Sequence, residues 1–436
     1  MRVPILIALL VGCGNDVGME PDGQPAPQPV EPRVIAGGGI GDGPIDGVVN
    51  LYVIDDTTRQ PVANATVRVG TLDGVTSSSG LFIATDLTGP QTITVKANGY
   101  RSEVWVGANG ANVTINLEQA NTASPPRGTL AGSINGFAAI TVPAGHAKVA
   151  VASYSQSDEL GDEANEIAQA NNQDFCFGTT ACNFTLTSRT GKVAVIAAIF
   201  DQDLKGTPTD PSDDTQTLIG WASKTGLTVT ANGMQSVALD IVPANMLQDV
   251  TVSFGSPPSG LTTVAGLVGI DSGADGTLQL KPLFTTPANA TVRVPKPEAI
   301  ASGATYRLTG FATNGQTNPT TSIVLRRGLT GTSLSAGTWL SAPAGTPTRT
   351  GGSWSPTSGA TVTGLEYKQG ATRVLNLTVF DGTTQVTIPD LIAMPTGTLS
   401  VDLSGIGAPG LDVTNFSLDA DRAKLSMVGG VTVQLN

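Results

Sequence analysis

Val48-Val49-Asn50-Leu51-Tyr52-Val53-Ile54 opens a series of short segments whose reading decides the fold. Ala65-Thr66-Val67-Arg68-Val69, Leu81-Phe82-Ile83-Ala84-Thr85, Thr92-Ile93-Thr94-Val95-Lys96-Ala97, Glu103-Val104-Trp105-Val106 and Val113-Thr114-Ile115-Asn116-Leu117 follow it. Apolar and polar residues alternate in these segments with a period near two, and turn formers such as Gly80, Gly89-Pro90 and Gly99 separate them. Successive side chains of a strand point to opposite faces, so this pattern turns one face to a core and the other to water. Short strands at this spacing predict a small antiparallel sandwich.

The rest of the chain carries the same signature. It has 436 residues, only 13% of them charged, and 53 glycines; charged residues usually make up about 25%. Strand and turn formers dominate, which predicts an all-β chain of tandem antiparallel β-sandwich domains behind a flexible N-terminal tether. At roughly 100–200 residues per domain the length allows two to four domains. A first sandwich is placed at 46–120, and the polar break Thr122 to Arg127 ends it. A second follows at 127–245, with strands in Thr129 to Ile134, Lys148 to Ser153 and Lys192 to Phe200. A C-terminal β-rich domain fills 246–436, with strands in Ala304 to Gly310, Ser322 to Arg326, Val374 to Phe380, Gln385 to Ile388 and Val431 to Leu435. Pro343 to Pro356 reads as a long loop. The segment Asp158 to Ala168 is the one plausible helix of the mature chain, short and acidic.

The order of signals in the first sandwich has a further reading. Thr58-Arg59-Gln60-Pro61-Val62-Ala63-Asn64-Ala65-Thr66-Val67, then Thr76-Ser77-Ser78-Ser79-Gly80-Leu81-Phe82, then Gly89-Pro90-Gln91-Thr92-Ile93-Thr94-Val95 and Gly99-Tyr100, resembles the carboxypeptidase regulatory-like domain. The resemblance implies a transthyretin-like, seven-stranded fold and a non-catalytic accessory role for residues 46–118. Ser78-Ser79-Gly80 stands where an acidic turn is commoner, so no turn ion site is implied.

The N-terminus speaks of location. Met1-Arg2 is followed by the apolar run Val3 to Val11 and by Gly12-Cys13, a charged start, a short apolar core and a small-residue cleavage site. That is a secretory signal peptide at 1–12, too short to span a bilayer. Leu10-Val11-Gly12-Cys13 resembles the lipobox of bacterial lipoproteins, which implies that Cys13 becomes the acylated N-terminus, palmitate being a typical chain. Two or more acyl chains hold a protein durably on a membrane. Residues 13–45, rich in Gly and Pro, read as the flexible tether. Gly14 rather than Asp after the cysteine implies, by the same resemblance, the outer membrane, facing periplasm or cell exterior. No apolar run long enough for a transmembrane helix follows. The net charge is −12 and the densest basic spot is Arg326-Arg327, so no surface is available for nucleic acid. The expected function is that of a non-enzymatic envelope lipoprotein, a structural or adhesive module meeting other envelope proteins or surface glycans. A carbohydrate-binding cell-surface accessory is the alternative, with a divergent hydrolase behind it.

Chemistry-bearing residues are few. Cys176 and Cys182 are six apart, and in an oxidising exterior such a pair reads as one disulfide closing a small loop. His146 is the one histidine and sits in a turn signal, so Ser-His-Asp and Cys-His schemes have little to work with. Gly37-Gly38-Gly39-Ile40-Gly41 lies in the tether without a strand and helix around it, which excludes a phosphate loop. Asp201, Asp203, Asp210, Asp213 and Asp214 fall within fourteen positions. They fit either a structural calcium loop or a solvated acidic loop, and Lys205 intrudes among them. No other cofactor is expected. Trp339 lies before the expected long loop and Trp354 within it, as loop anchors or as a glycan-contact face.

Overall fold

The computed structural model describes residues 30–120, 126–156, 173–178, 180–207, 214–272, 277–283, 289–370 and 372–435. Cys13, the segment 158–168, Asp210 and Asp213 lie outside them. The chain is all-β, and the described residues form six sheets around four apolar cores. No described helix is long and apolar enough to cross a membrane.

The alternating segments within 48–117 form a first sandwich, though not the purely antiparallel one expected, since Asp46–Asp55 pairs in parallel with Asn112–Leu117. Gly39–Gly41, Asn112–Leu117, Asp46–Asp55 and Leu81–Thr88 make one sheet with Phe416–Ser417 at its edge. Leu72–Val75, Thr66–Val69, Gln91–Lys96 and Ser102–Ala108 face it across a core holding Leu51, Val67, Ile93, Val95, Trp105 and Ile115. Ordered chain reaches further upstream than the alternation suggested. Residues 30–45 belong to the fold rather than to a tether, with Ile35, Ile40 and Ile45 buried. The glycine run explains how they enter. Gly39–Gly41 threads between Asn112–Leu117 and Phe416–Ser417, and a Cβ on Gly39 would sit 2.2 Å from the Phe416 carbonyl oxygen. Only glycine lets two backbones come that close.

The second sandwich packs Gln173–Phe177, His146–Gln156, Gly191–Asp203 and Thr215–Val229 against Cys182–Arg189, Arg127–Asn135 and Met234–Asp240. Thr215–Val229 is one long strand that holds both Leu218 to Ala222 and Leu227 to Val229. Gly191–Asp203 is apolar on both faces because both are covered. Val193, Val195, Ala197 and Ile199 enter the core of this sandwich, while Ala194 and Ile196 enter the next. Double-sided burial produces a continuous apolar run instead of alternation.

Residues 246–435 hold two cores. The first lies between the sheet Asn289–Pro295, Leu247–Ser253, Ser333–Ser335 and the strands Thr263–Asp271, Thr305–Thr313 and Thr320–Leu329. The second lies under Val362–Gln369, Thr372–Val379, Leu399–Gly407 and Met427–Leu435. The expected long loop at 343–356 is largely a hairpin, Gly345–Thr348 with Gly351–Trp354, which pairs on to Gln385–Thr387 and closes this second core. One 12-stranded sheet runs through everything except the second sandwich. It joins the first sandwich to the C-terminal region by a parallel pairing of Ser102–Ala108 with Thr372–Val379.

Candidate functional site

The acidic residues singled out by sequence sit at one end of the second sandwich. His146 opens the strand His146–Gln156 and lies opposite Asp203, with Lys148 opposite Asp201. The His146 Nδ1 is 2.7 Å from Asp201 Oδ1, and its Nε2 is 3.8 Å from Asp203 Oδ1. Lys205 Nζ reaches Asp203 Oδ2 at 2.5 Å, and this hydrogen bond holds the Asp203 carboxyl below the usual range. Gln202 donates to Asp214 Oδ2. Lys148 turns inward, gives its ammonium to the Phe137 and Ile140 carbonyls at 2.7 Å each, and lies 4.4 Å over the Phe137 ring. The three described aspartates therefore each hold a different partner. Among the described residues no three His, Cys, Asp or Glu side chains form a group fit for a metal ion. Both imidazole nitrogens face carboxylates, which orient the ring.

Cys176 and Cys182 are disulfide-bonded. Asp174 closes the same seam: its Oδ1 accepts from Phe175 N at 2.8 Å and its Oδ2 from Thr185 N at 2.7 Å. These bonds occupy backbone donors that the edge strands Gln173–Phe177 and Cys182–Arg189 would otherwise offer to another chain. With Cys176 turned inward, Phe175 and Phe177 are turned out, 50% and 69% exposed, their rings 6.4 Å apart and inclined by 13°. Sequence reading missed this pair. Its signal is Phe-Cys-Phe on an edge strand, where a core-facing disulfide sends both neighbours outward.

Trp339 and Trp354 are not brought together. Trp339 is 8% exposed, packs in the core of 247–339 and donates its indole N–H to the Phe254 carbonyl at 2.6 Å. Trp354 is 7% exposed and lies in the C-terminal core. Both anchor, and neither presents a ring face for a glycan.

The densest polar chemistry lies where the sequence showed only a strand. On the 12-stranded sheet, Glu103 pairs in register with Asn376, Asn376 with Glu366, Glu366 with Asp402, and Asp402 with Thr432. Arg101 binds Glu103 Oε1 through Nη2 at 2.8 Å, and its Nη1 reaches Glu118 at 2.9 Å and Glu366 at 3.3 Å. Arg373 joins Glu118 at 2.7 Å and Glu366 at 3.0 Å. Lys368 joins Glu366 at 2.8 Å and Asp402 at 2.6 Å. Asn376 donates to Glu103 Oε2 at 2.8 Å. Glu103 is fully enclosed, and burial pushes its carboxyl up to about 7 in spite of Arg101.

No protein-family model matches the chain, and neither does any curated protein. Among solved structures it is similar to the TIE protein of Bacillus anthracis, with 12% identity over 66% of this chain and 49% of that one, TM-score 0.14. It thus spans about half the length of that protein. It is also similar to the shaft pilin SpaA of Lactobacillus rhamnosus GG, with 11% identity over 44% of this chain and 97% of that one, TM-score 0.13. Two B repeat units of the collagen-binding protein of Staphylococcus aureus align at 11% identity over 77% of this chain and 99% of theirs, TM-score 0.13. At such identities and TM-scores these likenesses add nothing to the all-β tandem architecture that the strands themselves define.

Proposed function

We propose that the chain is a non-enzymatic lipoprotein of a bacterial envelope, held on the outer membrane by acyl chains on Cys13 and acting as a structural or adhesive module toward other envelope components. The observation that carries this reading is the lipobox-like Leu10-Val11-Gly12-Cys13 after a short apolar run. The body suits the role. Four filled cores give it a packed β scaffold, and the charged groups at both polar clusters are spent on one another rather than aimed at a substrate. Residues 46–118 serve in it as a regulatory-like accessory sandwich. Metabolic labelling with a palmitate analogue tests the anchor: the full chain takes up label and sediments with membranes, and Cys13→Ala loses both. Label retained by Cys13→Ala ends this reading.

One observation favours the carbohydrate-binding alternative, with a site moved from the tryptophans to Phe175 and Phe177. Two near-parallel exposed rings offer the flat apolar surface on which a sugar ring stacks, and they cover far less than the about 1,200 Å² that a stable protein interface buries. A glycan array followed by titration should show saturable binding that Phe175→Ala with Phe177→Ala abolishes. Binding retained by that variant would exclude this surface.

A further inference from the structure

The cluster around Arg101 contains four carboxylates, Glu103, Glu118, Glu366 and Asp402, against three cations, Arg101, Lys368 and Arg373. One negative charge is left over. The members come from every element packed there. Arg101 and Glu103 lead into and occupy Ser102–Ala108, Glu118 follows Asn112–Leu117, Glu366 and Lys368 lie on Val362–Gln369, Arg373 on Thr372–Val379, and Asp402 on Leu399–Gly407. On the remaining neighbour, Gln91–Lys96, the residue opposite Glu103 is Val95.

The excess charge does not sit equally on all four. Glu118, Glu366 and Asp402 keep 26%, 22% and 33% of their side-chain surface, whereas Glu103 keeps 3%. An uncompensated charge costs most where water is excluded. Glu103 also touches Asn376, whose amide can present either its nitrogen or its oxygen. That one contact serves a carboxylate and a carboxylic acid alike.

We infer that this junction is a proton-loaded clasp: one proton held on Glu103 neutralises the cluster and tightens the pairing of Ser102–Ala108 with Thr372–Val379, the parallel contact that joins the first sandwich to the C-terminal region. Burial of Glu103, raising its carboxyl from 4.5 to about 7, agrees with this. The sign follows from linkage. A carboxyl raised by folding gives stability that is present below its unfolded value and is lost as pH rises through the folded value. Between about pH 5 and 8 the junction therefore loosens as the medium becomes more alkaline, opposite to the usual behaviour of a salt-bridged acid.

The test uses the full chain and its Glu103→Gln variant, with Gln standing for the protonated acid. Hydrogen exchange, corrected for intrinsic rates, is followed at pH 5.5 and 8.5 in Ser102–Ala108 and Thr372–Val379, with Arg127–Asn135 of the second sandwich as internal reference. We expect opening of the two junction strands in the wild-type chain to rise on the order of tenfold at the higher pH, with no matching rise at the reference strand. Glu103→Gln should remove that rise and be better protected than wild type at pH 8.5. Equal junction protection of the wild-type chain at both pH values overturns the proposal, and that measurement stands even where the variant fails to fold. A folded variant that is weakened equally at both pH values overturns it too, since Glu103 would then act as a permanent anion.

Discussion

Two of the junctions in this chain differ in what fills them: one is apolar throughout, and the other adds a buried ionic cluster to its apolar contacts. The second sandwich meets the C-terminal region through an apolar face: Ala194, Ile196 and Trp221 are shared with the core of Val250, Val268, Leu308 and Trp339. The first sandwich meets the C-terminal region through a continuous sheet whose register line carries Glu103, Asn376, Glu366 and Asp402. An apolar junction tolerates a change of pH or salt and suffers from a change of volume. A buried ionic junction does the reverse, because the loss of one partner strands the others without water. The contrast has a topological cause. At the ionic junction the sheet changes the face it covers, since Trp105 packs in the first-sandwich core while its neighbour Val104 packs in the C-terminal core. Apolar packing reaches this seam too, through Phe380 and Phe416 in the first-sandwich core and Val104 in the C-terminal core, and the paired charges add a buried ionic cluster to it.

The largest effect should come from breaking the ionic junction at its hub. Arg101→Ala leaves Glu103, Glu118 and Glu366 without their common cation, and we expect a loss of about 3–5 kcal/mol, read as a shifted urea midpoint of the full chain. Replacing Arg101 costs this much only while its acids stay buried, so a loss below about 1 kcal/mol would mean the seam is wet and the contrast false. The apolar junction should answer to volume. Trp221 is among the largest fully buried side chains, and Trp221→Ala should cost about 3–5 kcal/mol. Its indole N–H is buried without an acceptor among the described residues, so Trp221→Phe keeps most of the ring, removes an unpaired donor and should cost well under half as much. Comparable losses for the two replacements would show that the N–H, not the volume, matters there.

These junctions also mark the limit of what the sequence discloses. Alternation at 48–117 and the apolar run at 191–203 were readable because burial writes its period into local sequence, one-sided in the first case and two-sided in the second. Cys176 and Cys182 were readable because a short spacing constrains their pairing. Glu103 was not readable. In Glu103-Val104-Trp105-Val106 it looks like a solvent-facing residue, and the strand that covers it carries Asn376, 273 positions away. Gly37 to Gly41 misled for a related reason. Glycine marks both slack chain and the tightest backbone approach, and the partner that decides, Phe416, is remote. Trp339 lies before and Trp354 within what looked like a loop, but that stretch is largely a hairpin and two separate cores claim the rings.

Acid separates the two halves of the molecule in another way. Asp55 lies buried in the first sandwich, where burial pushes its carboxyl up but donors from Gln119, Thr58 and Tyr100 outweigh it and hold it at about 2. A carboxyl lowered by folding gives stability that is present above the unfolded value near 3.8 and is lost as pH falls toward the folded one. We expect about 2 kcal/mol to vanish between roughly pH 4 and 2, seen as a falling melting temperature, and Asp55→Asn to flatten that limb while lowering stability at pH 6. The second sandwich should lag in the same titration when followed by exchange at Arg127–Asn135. Simultaneous loss in both would mean that the junctions transmit acid unfolding and that the modules do not fail separately.

The smallest effect concerns calcium and the charged end of the second sandwich. Five aspartates close in sequence would repel one another strongly if they converged, and an ion would then stabilise the fold by RT ln(1 + [Ca²⁺]/Kd), about 2.7 kcal/mol at a hundredfold excess. The three described ones each hold a partner instead. Asp201 holds His146, Asp203 holds Lys205, and Asp214 holds Gln202. Calcium would have to displace a lysine and an imidazole before gaining oxygens from Asp210 and Asp213, and it wants six to eight of them. We therefore expect the melting curve in millimolar calcium to overlay that in EDTA to within a degree, and Asp201→Asn with Asp203→Asn to leave the comparison unchanged. A rise of several degrees in calcium, erased by those two replacements, would instead show that Asp201 and Asp203 ligate the ion and that Lys205 swings away to admit it.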